Sequence, residues 1–322
     1  MKLAIIVVSY NTSDLTIQTL DSVVADLSHD PELFKQTEIW VVDNNSQDTS
    51  VADIKKWQQK QQISLTLIEN QDNVGFARAN NQAIKKTQAE LILLLNSDTI
   101  VQKGTLSEMV SRFKPIDNTT SALESSGDKI DRLGILAARL LNPDKSHQPQ
   151  GGSFPNLMTL FFQMTMMDDL PFIGKFLPST QHTGKSDREK NAQGLTVRNW
   201  VGGTAMMLRS EMLDQIGLLD DNIFMYGEDM EICLRAKHHL WDIAVDHAAK
   251  VIHLGSQSGS SDNAVKGELT AYSYIWGKHM PIWQLSIARL IIKLGMILRI
   301  ILFTILNSQK KKKLYLKLFN EI

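Results

Sequence analysis

Short apolar runs alternate with amphipathic stretches along the first hundred residues. The apolar runs predict strands at 3–9, 38–43, 63–69 and 90–95. The stretches between them predict helices at 13–27, 48–61 and 75–88. Strands and helices that alternate at this length predict an α/β fold with a parallel sheet and right-handed crossovers. Ligands bind such sheets at the carboxyl ends of the strands.

The pattern loosens after residue 110. The segments 118–131 and 179–194 are polar and predict surface loops, and the segment 157–178 between them is rich in Phe and Met. That apolar segment is typical of core packing, with contact to a lipid-linked molecule as the alternative. A second structured block follows, with a strand at 200–209, helices at 211–216 and 228–239, and a strand at 243–253.

The C-terminal segment 281–306 is strongly apolar but carries Arg289, Lys293 and Arg299. Its uncharged stretches are shorter than the roughly 18–20 residues that cross a bilayer. On a helical wheel the three cations share about a third of the circumference, which leaves a wide apolar face. With the lysines at 310–313, the pattern favours an interfacial helix on an anionic leaflet. The alternative is a helix packed on its own domain, followed by solvated lysines.

Composition narrows the class of protein. The 322 residues are 43% hydrophobic and 21% charged, which excludes a disordered chain. The net charge of −1 gives no case for nucleic acid, yet eight of the 34 Lys and Arg residues and only one of the 35 Asp and Glu residues lie beyond position 284. The single cysteine, Cys233, excludes an intrachain disulfide and favours a reducing compartment. The apolar run at 3–9 is too short for a signal peptide, so we expect a cytoplasmic protein.

Several common chemistries are absent from the sequence. No glycine-rich dinucleotide fingerprint follows the first strand, and no phosphate loop or serine hydrolase elbow occurs. Carboxylates remain as candidates: Asp43 and Asp98 end predicted strands, and the pair Glu228-Asp229 begins a predicted helix. Asp98 is suited to a hard divalent cation that neutralises a diphosphate, with capping of the next turn as the alternative.

Five segments carry a family resemblance. They are IIVVSYN at 5–11, VVDNNSQD at 41–48, NVGFARANN at 73–81, LLNSD at 94–98 and FMYGEDMEICLR at 224–235. In this order and spacing they resemble the family 2 glycosyltransferases of GT-A fold, and most of all the bacterial rhamnosyltransferase-like enzymes of cell-surface polysaccharide assembly. The resemblance covers roughly residues 1–260. It implies a GT-A domain at 1–265, with a nucleotide-sugar half at 1–110 and a catalytic half at 130–265, and a helical, basic, membrane-associating tail at 266–322.

The resemblance also implies roles for single residues. Asp43 matches the acid that binds the donor base, and the donor nucleotide set as a whole comprises Ser9, Asn11, Asp43, Asn73, Gly75, Arg78 and Asn96. Asp98 matches the metal-binding acid of a D-x-D motif whose first position is here the neutral Asn96. His253 matches a position where related enzymes often place a metal-binding His, and a structural His is the alternative. A divalent cation, Mn²⁺ or Mg²⁺, is the implied cofactor.

For the reaction, Asp229 matches the catalytic base of an inverting transfer, with Glu228 in support. The segment with Trp200, Gly202 and Gly203 matches the acceptor side. The Q-x-x-R-W signature of processive synthases is absent, which favours addition of a single sugar.

The implied enzyme works at the inner face of the cell membrane and transfers one sugar to a hydroxyl of a lipid-linked saccharide. The implied donor is dTDP-L-rhamnose, with a UDP-sugar as the alternative. A non-catalytic nucleotide-sugar-binding assembly component is the other class, and the oligomeric state stays open.

Overall fold

The computed structural model describes residues 1–115, 130, 132–149, 151–172, 174–177, 180, 194–255 and 261–321. Both predicted polar loops, 118–131 and 179–194, lie outside these residues except at positions 130, 180 and 194. The strands are β1 (Leu3–Ser9), β2 (Thr37–Asp43), β3 (Ser64–Glu69), β4 (Leu91–Asn96), β5 (Thr99–Val101), β6 (Leu133–Leu141), β7 (Leu195–Val197), β8 (Ala205–Arg209) and β9 (Asp242–His253). The helices are α1 (Ser13–Leu27), α2 (Pro31–Lys35), α3 (Ser50–Gln58), α4 (Phe76–Ile84), α5 (Thr105–Arg112), α6 (Leu157–Met164), α7 (Ser210–Ile216), α8 (Glu228–His238), α9 (Ser261–His279), α10 (Ile282–Ile305) and α11 (Gln309–Glu321).

The strands form one sheet in the order β3-β2-β1-β4-β8-β6-β9-β5, and β7 pairs with β9. Strands β1 to β4 are mutually parallel, as the alternation predicts. β8 runs antiparallel to β4 and β6, whereas β9 runs parallel to β6. The sheet is therefore mostly parallel, and the carboxyl ends of β1, β2 and β4 lie side by side at one edge.

Helices cover both faces of this sheet, which explains the continuous apolar runs. In β1, Ala4 and Ile6 pack on one side with α4 and α8, whereas Leu3, Ile5 and Val7 pack on the other side with α1 and α3. All five side chains are fully buried. Burial on both faces leaves no position for a polar residue until the strand ends at Ser9.

One predicted strand is longer than the strand in the structure. The strand predicted at 200–209 begins only at Ala205. The preceding segment contains Gly202 and Gly203, and the Gly203 amide donates to the Asp229 carboxylate instead of to a neighbouring strand. Strands β5 and β6 and helix α5 were not among the predicted elements.

The C-terminal helices pack on the domain. α10 contacts α6, α9 and α11, and α9 spans the expected domain boundary at 265/266. In the described part of the chain, we find no helix with both the length and the apolar character that a bilayer crossing requires. The division into a catalytic domain and a tail stays a prediction.

Candidate active site

Two adjoining cavities lie at the carboxyl edge of the sheet. The first cavity has a volume of about 350 Å³, and its wall includes Tyr10, Asn44, Asn73, Asn96, Asp98 and Glu228. The second cavity has a volume of about 380 Å³, and its wall includes Gln148, Trp200, Gly202, Gly227, Glu268 and Tyr272. Thr204, Tyr226, Asp229 and His253 line both. A molecule in either cavity therefore meets the same four side chains.

Sheet pairing brings Asp98 and His253 together. Asp98 directly precedes β5, whose residue Thr99 is the antiparallel partner of His253 at the end of β9. The Leu254 amide donates to the Asp98 carbonyl oxygen at 2.9 Å, and His253 Nε2 lies 3.4 Å from Asp98 Oδ1. The Asp98 side chain is buried and the His253 side chain nearly so. The two residues that the sequence suggests for metal binding are thus neighbours.

The environment of this pair fits a divalent cation. His253 Nδ1 lies 2.9 Å from Gln148 Oε1. An amide oxygen only accepts, so Nδ1 donates this hydrogen bond, and Nε2 is the ring nitrogen that lies beside the Asp98 carboxylate. A carboxylate and an imidazole at this distance offer two ligands to a divalent cation, and carboxylate oxygens suit Mg²⁺ and Mn²⁺. Among the described residues, no third acidic, His or Cys side chain completes a metal cluster, so the remaining ligands would come from Asn96, substrate or water.

Asp43 is buried at the end of β2, and one of its carboxylate oxygens stabilises the turn that follows. Oδ2 accepts the Ser46 amide hydrogen at 2.8 Å and thereby holds the turn after the strand. Oδ1 is buried and has no hydrogen-bond partner among the described residues. A buried acceptor without a donor is costly, which fits a carboxylate that takes an N–H from a ligand. Asp43 itself does not line the first cavity, although its neighbour Asn44 does.

Asn73 and Gly75 shape the wall of the first cavity. Asn73 lines it and accepts the Gly75 amide hydrogen at 3.0 Å. Gly75 has φ +86°, and a Cβ there would lie 2.5 Å from the Phe224 carbonyl oxygen. The same carbonyl accepts the Phe76 amide at the start of α4. Only glycine allows this approach, which joins α4 to the loop that precedes Glu228 and Asp229.

Three other residues of the suggested donor set lie away from the cavity wall. Ser9 is fully buried and accepts from the Thr16 hydroxyl, whereas Asn11 accepts the Gln47 amide at 2.6 Å and holds the turn after β2. Arg78 donates through Nε to the Asp221 carbonyl oxygen at 2.9 Å. In this structure these three side chains hydrogen-bond to other residues of the protein around the first cavity.

Asp229 is held at the N-terminus of α8. Its Oδ2 accepts from the Gly203 amide at 3.1 Å, and its Oδ1 accepts from the Met230 amide at 2.8 Å. Burial nevertheless raises its pKa above the ordinary value. A carboxylate with a raised pKa is a stronger base, and one that is oriented by two amides keeps its position while it takes a proton.

Glu228 shares this helix start but has a different environment. Its side chain is buried, and Oε2 has no partner among the described residues. Burial and the adjacent Asp229 charge raise the pKa of Glu228 to about 8. The two carboxyls titrate as a coupled pair, in which Glu228 holds its proton more tightly than an ordinary Glu side chain does.

The backbone before α8 is unusual. Tyr226 has φ +68° and Gly227 has φ +129°. A Cβ on Gly227 would lie 2.5 Å from the Ala271 Cβ atom on α9. Left-handed backbone in a non-glycine residue is held by its surroundings, and here α9 and the Gly75 turn enclose the loop.

A buried ion cluster fixes α8 to α9. Glu231 is fully buried, and its carboxylate accepts from Arg235, Lys278 Nζ and His279 Nε2 at 2.7–3.0 Å. Hydrogen bonds from His279 and Arg235 lower the pKa of Glu231 to about 2 against the effect of burial. Lys278 also pairs with Asp220. The helix that begins with Asp229 therefore has little freedom to shift.

The second cavity contains residues that sequence reasoning missed. Trp200 and Gly202 line it, whereas Gly203 lines the first cavity. Glu268 and Tyr272 of α9 form part of its wall, and Glu268 Oε1 accepts from Gln163 Nε2 at 2.8 Å. No motif marks these positions, since α9 follows the matched segments. Gln148 likewise lacks a sequence signal.

Cys233 has no part in the site. It is fully buried in α8, and burial raises the pKa of its thiol. A buried neutral thiol is a poor nucleophile. The chemistry that the site offers is that of its carboxylates and of the Asp98–His253 pair.

Comparison with known proteins is consistent with this geometry. The family model described as "Glycosyl transferase family 2" matches residues 4–166. A low-salt glycan biosynthesis hexosyltransferase Agl10 of Haloferax volcanii is 25% identical over 260 residues, which are 78% of this chain and 66% of that protein. An N-acetylglucosaminyl-diphospho-decaprenol L-rhamnosyltransferase of Mycobacterium tuberculosis is 23% identical over 166 residues, which are 51% of this chain and 52% of that protein.

Solved structures share the fold at low identity. A mannosyltransferase from Pyrobaculum calidifontis, in complex with GDP-Man and Mn²⁺, aligns over 98% of this chain and 79% of its own, with TM-score 0.53 and 13% identity. Residues 1–349 of TarS from S. aureus, in complex with UDP-GlcNAc, align over 99% of this chain and 79% of their own, with TM-score 0.52 and 14% identity. The expected GT-A fold is confirmed.

Proposed function

The chain belongs to glycosyl transferase family 2, and from this membership we propose that it is an inverting enzyme that transfers a single sugar from a nucleoside diphosphate donor to a hydroxyl group. The observation that carries the proposal is the position of Asp229 on the wall common to the two cavities. A donor in the first cavity and an acceptor in the second would meet at this carboxylate. Inverting transfer needs a base on the acceptor side of the anomeric carbon.

Each side chain has a distinct task in this proposal. Asp229 takes the proton of the acceptor hydroxyl as its oxygen attacks the anomeric carbon, and the Gly203 and Met230 amides keep the carboxylate oriented. Glu228, whose pKa is raised by burial and by the adjacent Asp229, would support the base by limiting the negative charge beside it. Asp98 and His253 would hold the divalent cation, which when bound neutralises charge on the diphosphate leaving group.

We propose dTDP-L-rhamnose as the donor. The support is the sequence resemblance to rhamnosyltransferase-like enzymes and the 23% identity to an L-rhamnosyltransferase. Asp43 would accept the imide N–H of the thymine or uracil base, because both bases carry this group. A UDP-sugar is the alternative, favoured by the fold shared with a UDP-GlcNAc complex.

We propose a lipid-linked saccharide in glycan or polysaccharide biosynthesis as the acceptor. The related rhamnosyltransferase is named for a diphospho-decaprenol substrate, and the hexosyltransferase for glycan biosynthesis. Such an acceptor would place the enzyme at the inner face of the membrane. The second cavity would then take the hydroxyl-bearing end of the saccharide, since Trp200 and Glu268 offer an aromatic surface and an acceptor of hydrogen bonds.

Calorimetric binding of dTDP, UDP and GDP, each with and without Mn²⁺ or Mg²⁺, tests the donor. We expect metal-dependent binding with dTDP preferred, followed by transfer from dTDP-L-rhamnose. Preference for UDP would select the alternative donor. Binding without turnover would favour a non-catalytic assembly component, and the absence of binding to all three nucleotides would overturn the proposal.

A further inference from the structure

An apolar stripe runs along the outer face of α10. It consists of seven large apolar residues that are 40–76% exposed: Trp283, Ile287, Leu290, Leu294, Ile297, Ile301 and Ile305. They recur every three or four residues, so they follow one side of the helix. The helix is about 35 Å long at 1.5 Å per residue. An exposed apolar surface of this extent marks an interaction site.

The opposite face of α10 packs on the domain. Ala288, Ile292 and Met296 are buried, and Gly295 is buried against Met164 of α6, where a Cβ would lie 2.7 Å from the Met164 Cβ atom. The helix is therefore fixed in rotation by a close crossing with α6. The apolar stripe faces outward as a consequence of this packing.

Two of the three cations of α10 contact other parts of the protein. Arg299 donates to the carbonyl oxygens of Met164 and Gln163 at the C-terminus of α6, at 2.6 and 3.1 Å. Lys293 Nζ lies 5.5 Å from the centre of the Phe319 ring of α11. These two charges face the protein, and the third cation, Arg289, lines a small cavity with Glu321 of α11. None of the three belongs to the apolar stripe.

The charges next to the apolar stripe are at its C-terminal end. Lys310, Lys311 and Lys313 are exposed at the start of α11, and Lys311 Nζ lies 5.1 Å from the Phe303 ring of α10. The only acid beyond position 284 is Glu321, which pairs with Lys266 at 2.8 Å. The surface thus combines an uncharged apolar stripe with a basic end.

We propose that this surface docks the enzyme on an anionic phospholipid bilayer, with the apolar stripe in the interface and the lysines at 310–313 against lipid headgroups. Charge complementarity favours lipid over a second copy of the chain, because an identical surface offers the lysines no carboxylate. The docking face is joined to the second cavity through α6, whose Gln163 bonds Glu268. Docking would therefore bring a lipid-linked acceptor close to Asp229.

The test is sedimentation of the full chain with vesicles of phosphatidylcholine alone or mixed with phosphatidylglycerol. We expect binding to the anionic vesicles and much weaker binding to the neutral ones. Replacing all four lysines at 310–313 by Gln should weaken binding by about 100-fold or more, since each charge near the surface contributes about 1 kcal/mol. Leu290→Glu combined with Ile297→Glu should weaken it by at least about tenfold.

Leu240→Glu provides the matched control, because Leu240 is 61% exposed and lies outside the C-terminal helices. It should bind vesicles as the natural chain does, and all variants should keep their thermal unfolding and dTDP binding. The proposal is wrong if the natural chain ignores anionic vesicles or if the double Glu variant binds them unchanged. It is also wrong if that variant only dissociates a dimer in light scattering.

This inference deepens the proposed membrane location, and its biological meaning depends on the proposed function. Vesicle binding is measured without nucleotide or sugar transfer. A chain that binds vesicles but no nucleotide would refute the proposed function alone, whereas the reverse result would refute the docking surface alone.

Discussion

The Asp229 carboxylate accepts a hydrogen bond from the Gly203 amide at 3.1 Å, and this contact links the start of α8 to the glycine segment before β8. Both residues line the first cavity, and Asp229 also lines the second. A Cβ on Gly203 would lie 3.8 Å from the Asp229 Cβ atom and 3.6 Å from the Phe76 ring. The proposed base is therefore placed by backbone atoms, which hold it more rigidly than a flexible side chain would.

Asp229→Asn should abolish most transfer while donor binding persists. The amide keeps the size of the carboxylate and can accept one of its two backbone hydrogen bonds, but it cannot take a proton. We expect kcat to fall by about 10²–10⁴, the range of general-base catalysis. Steady-state transfer with calorimetry of dTDP measures both effects. Activity close to that of the natural chain would mean that another group is the base.

The cation site can be tested without turnover. His253→Ala and Asp98→Asn should each weaken Mn²⁺ binding in the presence of dTDP, read by electron paramagnetic resonance. Gln148→Ala should weaken it by about tenfold, because Gln148 orients the imidazole. His29→Ala, at an exposed position in the loop after α1, is the control. Unchanged Mn²⁺ affinity in His253→Ala would assign His253 a structural role.

Glu228 should make stability depend on pH. Its pKa is about 8 in the folded chain and ordinary in the unfolded chain, so the folded state binds the proton more tightly. The contribution to the free energy of unfolding is complete below about pH 4.5 and is lost as the pH rises through about 8. Glu228→Gln should flatten the profile, measured by urea unfolding between pH 5 and 9. An unchanged slope would contradict a buried, protonated Glu228.

Glu231→Gln should destabilise the fold by about 3–5 kcal/mol, because it leaves Arg235 and Lys278 without their buried counter-ion. The exposed Glu32→Gln, which removes an ion pair with Lys35, should cost less than about 1 kcal/mol. Urea unfolding of both variants provides the comparison. Because the folded pKa of Glu231 is about 2, its contribution is present above the ordinary pKa and disappears as the pH falls toward 2. Equal losses in the two variants would show that the cluster contributes little.

Glu268→Gln should raise KM for the acceptor by about tenfold with little change in KM for the donor. Glu268 lines the second cavity and is absent from the wall of the first. Thr270→Ala, exposed on the same helix, is the control. A rise in both KM values would indicate a general disturbance of α9.

Local patterns predicted strands β1, β2 and β4 because burial on both faces is visible as continuous apolar sequence, whereas β3 at the end of the strand order was predicted although only its Leu65 is buried. The motif order placed Asp98, His253 and Asp229, which the fold brings to one edge. Gln148 and Glu268 escaped prediction because their positions depend on pairing between distant segments. Arg78 and Asn11 were assigned to the donor by motif, yet in the structure their polar groups bond to neighbouring loops.

The orientation of the C-terminal helix α10 could not be predicted from the sequence alone. A helical wheel tells which residues of α10 share a face, but not which face meets the domain. The close contact of Gly295 with Met164 decides this, and it depends on α6. The expected apolar face is present, and Arg299 points toward the domain, away from that face.

The pairing of β5 with β9 has a consequence for how the protein matures. Asp98 leaves the ribosome well before His253, and the two meet only when the last strand closes the edge of the sheet. A shift of one residue in that pairing would turn the imidazole to the other side of the sheet. Affinity for a divalent cation should therefore arise as one of the final events of folding, so metal uptake would report that synthesis has passed β9 and that the sheet is complete.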